Sequence, residues 1–283
     1  MRISRRTFLK TAVVSAAVPV MGVPYAHYIE PDWIEVEQVE LTLPRLSREF
    51  EGYRLALFSD LHIDSWLGED RLADVIDRVN AEKPDAIAIT GDFASDSVAS
   101  PIDQQLVTHL SRLKPRDVTV AVLGNHDHWI NARAVRQIIT RSGLENICNK
   151  MISVQRGQAR LHLAGVDDVW ENKHHPGRSL RQLRRDDFAA ILLAHEPDYA
   201  DESARFGRFD LQISGHSHGG QVRIPGGGAL YLPHLGKKYA AGKYQVKEML
   251  VYTTRGVGMV PPLFRFNCRP EITILTLRSP AFS

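Results

Sequence analysis

Five short apolar segments of this chain each end in a short polar motif. The segments have the length and composition of buried β-strands and are bounded by turn-forming residues. They lie at residues 55–58, 86–89, 118–123, 189–193 and 211–213. Because α/β proteins place functional groups at the carboxyl ends of their strands, the polar motifs after these segments are the first candidates for a functional site.

Amphipathic helices are predicted between several of these strands. Apolar residues recur at the spacing of one helix face within residues 72–79, 106–113 and 135–139. Pro84 follows the first of these stretches and Gly143 follows the third, at positions where helices end. The order strand, motif, helix predicts central strands that are mostly parallel.

The remaining pattern predicts further strands. Alternating residues at 33–43 predict an early strand on a sheet edge, with an irregularity near Gln38. After Gly219, helical spacing is scarce, and Gly and Pro residues separate short apolar runs. These runs predict antiparallel strands of a second sheet at residues 222–224, 230–232, 244–246, 249–253 and 272–277. The predicted fold class is therefore α/β, with two sheets and helices outside them.

Length and composition limit the organisation of the chain. Its 283 residues suffice for one substantial core. We expect one catalytic domain at residues 31–283, behind an N-terminal appendage of residues 1–30. The formal net charge of +2 gives a weak long-range field, so no nucleic-acid partner is expected. Cys148 and Cys268 form no CxxC pair and are expected to be packed or free thiols, with one disulfide as the alternative.

The N-terminal appendage has the features of an export signal. Residues 4–10 contain a serine, paired arginines, a phenylalanine, a leucine and a lysine, and a weakly apolar run follows at residues 11–23. This pattern resembles the twin-arginine signal, with an ordinary basic signal as the alternative. We expect the twin-arginine export machinery as a partner, and a location in the periplasm or on the outer face of the cytoplasmic membrane. No clear cleavage site follows, so the segment is either removed or retained as a membrane tether.

The five polar motifs consist of residue types that bind metal ions. Asp60 and His62 are two positions apart, so an extended segment would direct both side chains to one side. Gly91 leaves room for close approach of backbone or ligand beside Asp92. The motifs are Asp60-Leu61-His62, Gly91-Asp92, Gly124-Asn125-His126-Asp127, His195 and Gly215-His216-Ser217-His218.

These motifs contain more ligands than one ion needs. The candidate metal ligands are Asp60, His62, Asp92, Asn125, His195, His216 and His218. Such a set exceeds one tetrahedral site and suits two ions that share a carboxylate. The imidazoles and the absence of thiolate favour Mn, Fe or Zn over Ca or Mg alone. Each residue taken singly is more often a core histidine, a helix cap or a turn residue, but that explanation fails for five strand ends together.

The ordered set of motifs resembles the calcineurin-like metallophosphoesterase superfamily. The resemblance covers roughly residues 50–280. Residues 215–221, 252–258 and 267–271 further resemble bacterial phosphodiesterases of this superfamily. The resemblance implies a four-layer α/β/β/α sandwich of two mixed sheets flanked by helices, with a two-metal centre at one end.

The resemblance also implies a role for each motif residue. The first metal would be held by Asp60, His62 and His218, and the second by Asn125, His195 and His216. Asp92 would bridge the two metals. His126 would be the catalytic histidine near the leaving-group oxygen. Either Asp96 or Asp127 would be its carboxylate partner.

The expected function is metal-dependent hydrolysis of a phosphoester, with a phosphodiester favoured. Two cations about 3.5 to 4 Å apart lower the pKa of a bridging water, and the resulting hydroxide attacks phosphorus. His126 would donate a proton to the leaving group. The expected substrate is a small-molecule or lipid phosphoester. The apolar segment 256–266 either contacts an acyl chain or the membrane, or covers the core. The alternatives are a UDP-2,3-diacylglucosamine pyrophosphatase of lipid A assembly, a nuclease and a non-catalytic metal-binding scaffold.

Overall fold

The computed structural model describes residues 22–63, 66–183 and 187–280. The predicted twin-arginine motif at residues 4–10 and most of the apolar run after it lie outside the described residues, so the export signal stays a prediction. Within the described ranges, no helix has both the length and the apolar character needed to cross a bilayer. The described residues form two six-stranded mixed sheets flanked by helices, in agreement with the predicted fold class.

The first sheet contains most of the early strands. Its members are β1 (Glu35–Thr42), β2 (Tyr53–Phe58), β3 (Ala86–Ile89), β4 (Val118–Ala121), β5 (Glu145–Asn146) and β14 (Glu271–Arg278). Their order across the sheet is β1-β14-β2-β3-β4-β5. The strands from β2 to β5 are parallel neighbours, whereas β14 is antiparallel to β2 and parallel to β1. Continuous apolar runs suit the central parallel strands because helices or another sheet cover both of their faces.

The second sheet is built from the later strands. Its members are β6 (Lys150–Arg156), β7 (Ala159–Gly165), β8 (Ala190–Leu193), β9 (Leu211–Ser214), β12 (Gly242–Val246) and β13 (Met249–Thr253). Their order is β12-β13-β9-β8-β7-β6, and the two outermost strands run antiparallel to their neighbours. Two further short strands, β10 (Arg223–Ile224) and β11 (Gly228–Ala229), form a separate hairpin.

Helices cover the outer faces of both sheets. They are α1 (Glu69–Ala81), α2 (Ile102–Leu110), α3 (Asn125–Arg141), α4 (Gly177–Leu183) and α5 (Ala200–Ser203). The predicted apolar face of α1 is buried. Helix α3 is broken at Asn131, where φ is −171°. Gly143 follows this helix with a φ of +76°, which is the left-handed conformation that favours glycine after a helix end.

Two apolar cores hold the layers together. The larger core contains residues of both sheets, among them Leu57, Ile89 and Ile191, together with the inner faces of the first three helices. The smaller core lies on the other face of the second sheet, where Leu192 and Val251 pack with Leu183 of α4. Burial of both faces of the central strands fixes the position of the strand ends that carry the polar motifs.

The division of strands between the sheets differs from the prediction. Residues 189–193 and 211–213 were predicted as buried strands without an assigned sheet, and they contribute to the second sheet as β8 and β9. Residues 272–277 were expected in the second sheet, yet β14 lies inside the first. This assignment was wrong because an apolar run reports burial and not the identity of its neighbour.

Smaller details of the strand predictions also need correction. Residues 230–232 form no strand, since β11 ends at Ala229. Strand β1 lies at the predicted sheet edge, but it pairs with β14 in continuous register without the irregularity expected near Gln38. Strands β6 and β7 were not predicted because charged and polar residues interrupt their apolar positions.

The packed part of the chain includes residues before the expected boundary at residue 31. The carboxylate of buried Glu30 accepts hydrogen bonds from the backbone N–H groups of Asn267 at 2.9 Å and Cys268 at 2.5 Å. The Nδ1 atom of His27 lies 2.7 Å from the carbonyl oxygen of Leu263. Residues 25–32, which form short helical turns, are therefore anchored to the loop before β14.

Candidate metal centre

The seven predicted metal ligands converge where the two sheets meet. Strands β2, β3 and β4 of the first sheet lead into the loops that carry the first four of them. Strands β8 and β9 of the second sheet lead into the loops that carry His195, His216 and His218. All seven side chains are buried. Parallel neighbours direct their carboxyl ends to one edge, so the fold brings together residues that are distant in the sequence.

The first group of ligands consists of Asp60, His62 and His218. One ligand atom from each of these residues lies within 4.8 Å of the others. The Nε2 atoms of His62 and His218 are 3.2 Å apart, and Nε2 of His218 is 3.5 Å from Oδ1 of Asp60. The Nδ1 atoms of both histidines are buried without a hydrogen-bond partner. A bound cation would satisfy such a cluster of donor atoms, which otherwise loses its hydration on folding.

The second group consists of Asp92, His195 and His216. Their ligand atoms also lie within 4.8 Å of one another. The Nε2 atom of His195 is 3.2 Å from Nδ1 of His216. Asn125 adds an oxygen at the same edge, and its Oδ1 is buried with no hydrogen-bond partner. An unpaired buried amide oxygen is costly unless something binds it, so Asn125 fits the role of a ligand.

Asp92 lies between the two groups. Its Oδ2 is 3.4 Å from Nε2 of His62 and 3.2 Å from Nε2 of His195. Its other oxygen, Oδ1, accepts a hydrogen bond from the backbone N–H of His126 at 3.0 Å. One carboxylate oxygen therefore faces a histidine of each group, which is the position that a shared ligand requires.

Backbone carbonyls orient two of the histidines. Nδ1 of His195 is 2.7 Å from the carbonyl oxygen of Thr90, and Nε2 of His216 is 2.7 Å from that of His234. A carbonyl oxygen can only accept, so these ring nitrogens carry the protons. With a cation bound, the opposite nitrogen of each ring would present its lone pair to the centre. This arrangement is the usual one for a histidine that binds a metal ion.

Burial sets the protonation of the remaining ligands. It lowers the pKa of His62 to about 3 and that of His216 to about 4, and thus keeps both imidazoles neutral at neutral pH. Burial opposes ionisation of Asp92, but His195 outweighs this effect and holds the pKa of Asp92 well below its usual range. The charge of Asp92 in turn raises the pKa of His195 well above its ordinary value, against the effect of burial. Without a cation, these two residues therefore form a buried ion pair.

Most of the ligands have strained backbone. Positive φ angles occur at Asp60 (55°), His62 (46°), Asp92 (56°), His216 (68°) and His218 (50°). Each such conformation at a residue other than glycine costs on the order of 1–3 kcal/mol and persists only where the surroundings enforce it. The expected extended segment between the first two residues was therefore wrong. Their side chains meet because tight left-handed turns redirect the backbone.

Two glycines allow the strand ends to approach each other. Gly91 has a φ of +103°, and a Cβ atom there would lie 2.5 Å from the backbone nitrogen of Gly124. At Gly124, a Cβ atom would lie 2.7 Å from Nε2 of His195. A side chain at Gly91 would push apart two ligand loops of the first sheet, and a side chain at Gly124 would displace His195 of the second sheet.

Asp127, one of the two carboxylates predicted as a partner of His126, contacts backbone groups instead. Asp127 is buried, and its carboxylate accepts from the backbone N–H groups of Asp92, Phe93 and Gly124 at 2.8 to 2.9 Å. Within the described ranges, no carboxylate hydrogen-bonds to the His126 ring. That ring makes an edge contact with His62 at 4.7 Å between centroids. Asp127 thus fixes the backbone of two motifs rather than the ring of its neighbour.

His126 also lies close enough to the centre to act as a ligand. One of its ring nitrogens lies within 4.8 Å of the ligand atoms of His62 and Asp92. Unlike the other ligand candidates it is only half-buried. Its position at the solvent side of the centre suits contact with a substrate.

Several supporting residues carried no signal in the sequence. Glu196 is fully buried behind His195 and accepts from the backbone N–H groups of Val169 and Trp170. Burial and the adjacent Glu196 raise the pKa of Asp168 to about 9, so this pair holds a proton at neutral pH. These acidic residues follow strands without a recognisable motif, and only the tertiary structure places them together.

Buried Arg265 fixes the loop that closes the first ligand group. Its guanidinium donates to the carbonyl oxygens of Arg255, Gly256 and Gly258, and the last of these bonds is 2.6 Å long. The N–H of Gly258 donates to the carbonyl oxygen of Asp60 at 2.7 Å. Arg265 therefore acts through the loop backbone to position Asp60.

Comparison with known proteins identifies the family to which these motifs correspond. A family model described as calcineurin-like phosphoesterase matches residues 53–220. The metallophosphoesterase YkuE of Bacillus subtilis is 33% identical to this chain, over 98% of the chain and 99% of the relative. The phosphodiesterase YaeI of Escherichia coli is 31% identical, over 97% of the chain and 99% of the relative. The predicted resemblance to bacterial phosphodiesterases of this superfamily is therefore confirmed.

A eukaryotic relative has a longer chain. A transmembrane protein with a metallophosphoesterase domain from Danio rerio is 30% identical to this chain. The alignment covers 97% of this chain but 63% of the relative. The shared part therefore includes both sheets and all the ligand loops.

The metal centre predicts a defined metal content. Elemental analysis of the purified protein should find about two ions per chain. Asp92→Ala should lose most of both ions because its carboxylate faces both groups, whereas His218→Ala should lose about one. His109→Ala, which removes a buried histidine outside the centre, is the matched control and should retain both. A wild-type protein with one ion, or an Asp92→Ala variant with two, would contradict the two-group interpretation.

The proton shared by Asp168 and Glu196 predicts a pH-dependent stability. Because the pKa of Asp168 is raised from 3.8 to about 9, the folded state retains a proton that the unfolded state releases above pH 4. The contribution of this residue to stability is therefore present at low pH and falls as the pH rises toward 9. Asp168→Asn cannot ionise, so its melting temperature should rise relative to the wild type between pH 5 and pH 8. Glu171→Gln, an exchange in the same loop, is the control, and a difference independent of pH would contradict the shared proton.

Proposed function

The chain belongs to the calcineurin-like phosphoesterase family, and on this premise we propose that it is a phosphodiesterase that uses two metal ions. The observation that carries the proposal is the pair of three-residue ligand groups, in which Asp92 of the second group also faces His62 of the first. Metal-dependent phosphoester hydrolysis is the activity that this family and this set of ligands support. The number of ions and the preference for diesters are the finer parts of the proposal.

A preference for diesters follows from the charges around the centre. The cavity beside the ligands is lined by His126 and by aromatic, aliphatic and small polar residues. None of the described residues that line this cavity is Lys or Arg. A phosphodiester carries one negative charge, whereas a phosphomonoester or a pyrophosphate carries a further charge that no basic side chain here would neutralise. The cavity therefore also disfavours the pyrophosphatase alternative.

The proposed reaction divides its tasks between the ions and the protein. When bound, two divalent ions would lower the pKa of a water and neutralise charge on the phosphoryl oxygens. Mn, Fe and Zn suit the imidazole and carboxylate donors. Asp92 holds the two ligand groups in register, and the carbonyls of Thr90 and His234 keep the rings of His195 and His216 aimed inward. Water attacks phosphorus, the phosphorus–oxygen bond to the leaving group breaks, and the leaving oxygen takes up a proton.

His126 is the proposed proton donor for that leaving oxygen. It is only half-buried, lines the cavity, and makes an edge contact with His62 and a tilted ring contact with Trp129. A protonated imidazole at this position would be needed most when the leaving group is a poor one. The alternative role of His126, as a metal ligand, predicts different behaviour on substitution.

His126→Ala tests this assignment through its dependence on the leaving group. For an alkyl phosphodiester with a poor leaving group, kcat should fall by about 10²- to 10⁴-fold, the usual contribution of general acid catalysis. For bis(p-nitrophenyl) phosphate the loss should be much smaller, because p-nitrophenolate leaves without protonation. The metal content should stay at that of the wild type, and added imidazole should restore part of the alkyl ester activity.

The control for His126 is the metal content of the variant. An equal loss of activity on both esters, together with the loss of an ion, would show that the residue is a ligand and not the acid. Complete inactivity of the metal-loaded wild type on every diester would overturn the proposed function itself.

Export through the twin-arginine pathway is also part of the proposal. It is supported by the motif at residues 4–10, and it places the enzyme in the periplasm or on the outer face of the cytoplasmic membrane. Arg5→Lys together with Arg6→Lys should retain the full-length protein in the cytoplasm, as measured by cell fractionation. Arg2→Lys is the matched control and should leave export unchanged. Export of the paired variant at the wild-type level would contradict this route.

A further inference from the structure

A cavity of about 340 Å³ opens from the metal centre. Its floor contains Asp92 and His126, so a group bound there would be joined directly to the phosphoryl group. One wall consists of Trp129 and Trp170, whose rings meet edge to face at 5.4 Å. The volume is in the range of small-ligand sites, and the apolar walls suit an uncharged organic group.

A second wall is formed by Leu230, Tyr231 and residues 260–262. Gln221 holds residues 260–262 in place through two hydrogen bonds to Val260. Its Nε2 donates to the carbonyl oxygen of Val260 at 2.9 Å, and its Oε1 accepts from the N–H of the same residue at 2.7 Å. These two hydrogen bonds fix the backbone of the wall at Val260.

The rim of this cavity exposes large apolar side chains to solvent. Leu230 is 63% exposed and Tyr231 is 74% exposed. In the described part of the chain, the exposed large apolar side chains lie on α3 at the cavity, in residues 224–231 and in residues 23–33. They are Trp129 on α3, then Ile224, Leu230 and Tyr231, and finally Val23, Tyr28, Ile29 and Trp33. Such clustering marks an interaction surface, since scattered exposure would need no explanation.

Backbone hydrogen bonds place these segments side by side. The N–H of Arg265 donates to the carbonyl oxygen of Ala26 at 2.8 Å, so the N-terminal segment borders residues 263–266. The N–H of Arg223 donates to the carbonyl oxygen of Phe266 at 2.9 Å, and that of Leu230 donates to Val222 at 3.0 Å. The cavity rim and residues 23–33 are therefore linked through neighbouring segments of the fold, and we call their exposed apolar side chains together the apolar rim.

The path of the chain and the composition of the apolar rim identify what covers it. The chain runs from this rim toward residues 1–21, which precede it and contain the apolar run of the predicted signal or tether. Four of the eight exposed residues are Trp or Tyr, the side chains that favour the boundary between lipid and water. A small soluble substrate would be covered by the cavity and would leave the rim in water. A lipid bilayer would cover both.

We propose that the apolar rim rests on a membrane surface and that the substrate is an amphiphilic phosphodiester whose hydrocarbon chain occupies the cavity between the two walls. This inference rests on the proposed function, because it names the class of diester that the metal centre hydrolyses. The phosphoryl group lies at the ligands, and the chain extends past Leu230 and Tyr231 toward the bilayer. The hydrocarbon chain beyond the phosphoryl group carries no charge, so no basic residue of the protein is needed to bind it.

A chain-length series tests the proposal with the full-length protein. The substrates are p-nitrophenyl phosphodiesters whose second ester group is methyl or hexadecyl, the latter embedded in phosphatidylcholine vesicles. Wild-type kcat/KM should be about tenfold or more higher for the hexadecyl ester, because burial of about two methylenes is enough for that factor. The variant Leu230→Ser with Tyr231→Ser should reduce the ratio between the two esters to within about threefold, since lost burial removes the preference.

Two further measurements make the outcome unambiguous. Gln245→Ser with Lys247→Ser changes exposed residues of the β12–β13 hairpin, outside the rim, and should keep the wild-type ratio. Vesicles of brominated phosphatidylcholine should quench the tryptophan fluorescence of the wild type, and quench the Leu230 and Tyr231 double variant less.

Each possible result bears on the proposal. Equal kcat/KM for the two esters in the wild type, or an unchanged ratio in the Leu230 and Tyr231 double variant, would overturn it. A long-chain preference without quenching by brominated vesicles would also overturn it, because the occupant would then be a soluble apolar group. Turnover of the methyl ester by the wild type reports on the proposed function separately, so failure of the inference and failure of that function are distinguishable.

Discussion

The site depends on the contacts that the carboxylate of Asp92 makes. One of its oxygens faces a histidine from each sheet, and the other accepts the N–H of His126 at the start of α3. Its own backbone N–H donates to Asp127. A single buried anion therefore ties together two sheets and one helix. Removal of that carboxylate would take the anionic partner away from the buried Nε2 of His195 and the acceptor away from the N–H of His126, and both losses are costly.

The strained backbone of the ligands follows from the same geometry. Side chains that point at one centre from the ends of two sheets cannot all leave extended strands, so the chain turns through left-handed conformations at five ligand positions. Packing in the two apolar cores offsets the free-energy cost of those conformations, because it holds both faces of the second sheet and the strand ends. Local strain at a site is tolerated when packing elsewhere determines the backbone path.

Segments that are far apart in the sequence also hold the backbone around the candidate metal centre in place. Arg265 fixes the loop of Gly256 and Gly258 against Asp60, and the same region receives the carboxylate of Glu30 from the start of the described chain. The N-terminal segment, the cavity wall and the first ligand group therefore share one loop. This connection explains why residues that sequence reasoning assigned to a detachable appendage are packed against the C-terminal part of the fold.

The sequence by itself determined the fold class, the helix faces and the residue types of the candidate ligand motifs. Each of these depends on local information: apolar periodicity reports which residues are buried, and His, Asp and Asn after buried runs report metal chemistry. The tertiary structure decided which sheet each strand joins, since a buried run such as that of β14 fits either sheet equally well. It also decided the position of Asp92 between His62 and His195, the backbone contacts of Asp127, the carbonyl partners of His195 and His216, and the pairing of the acids Asp168 and Glu196. These features depend on distances between parts of the chain that no local pattern encodes, because they arise only when two independently buried sheets meet at one edge.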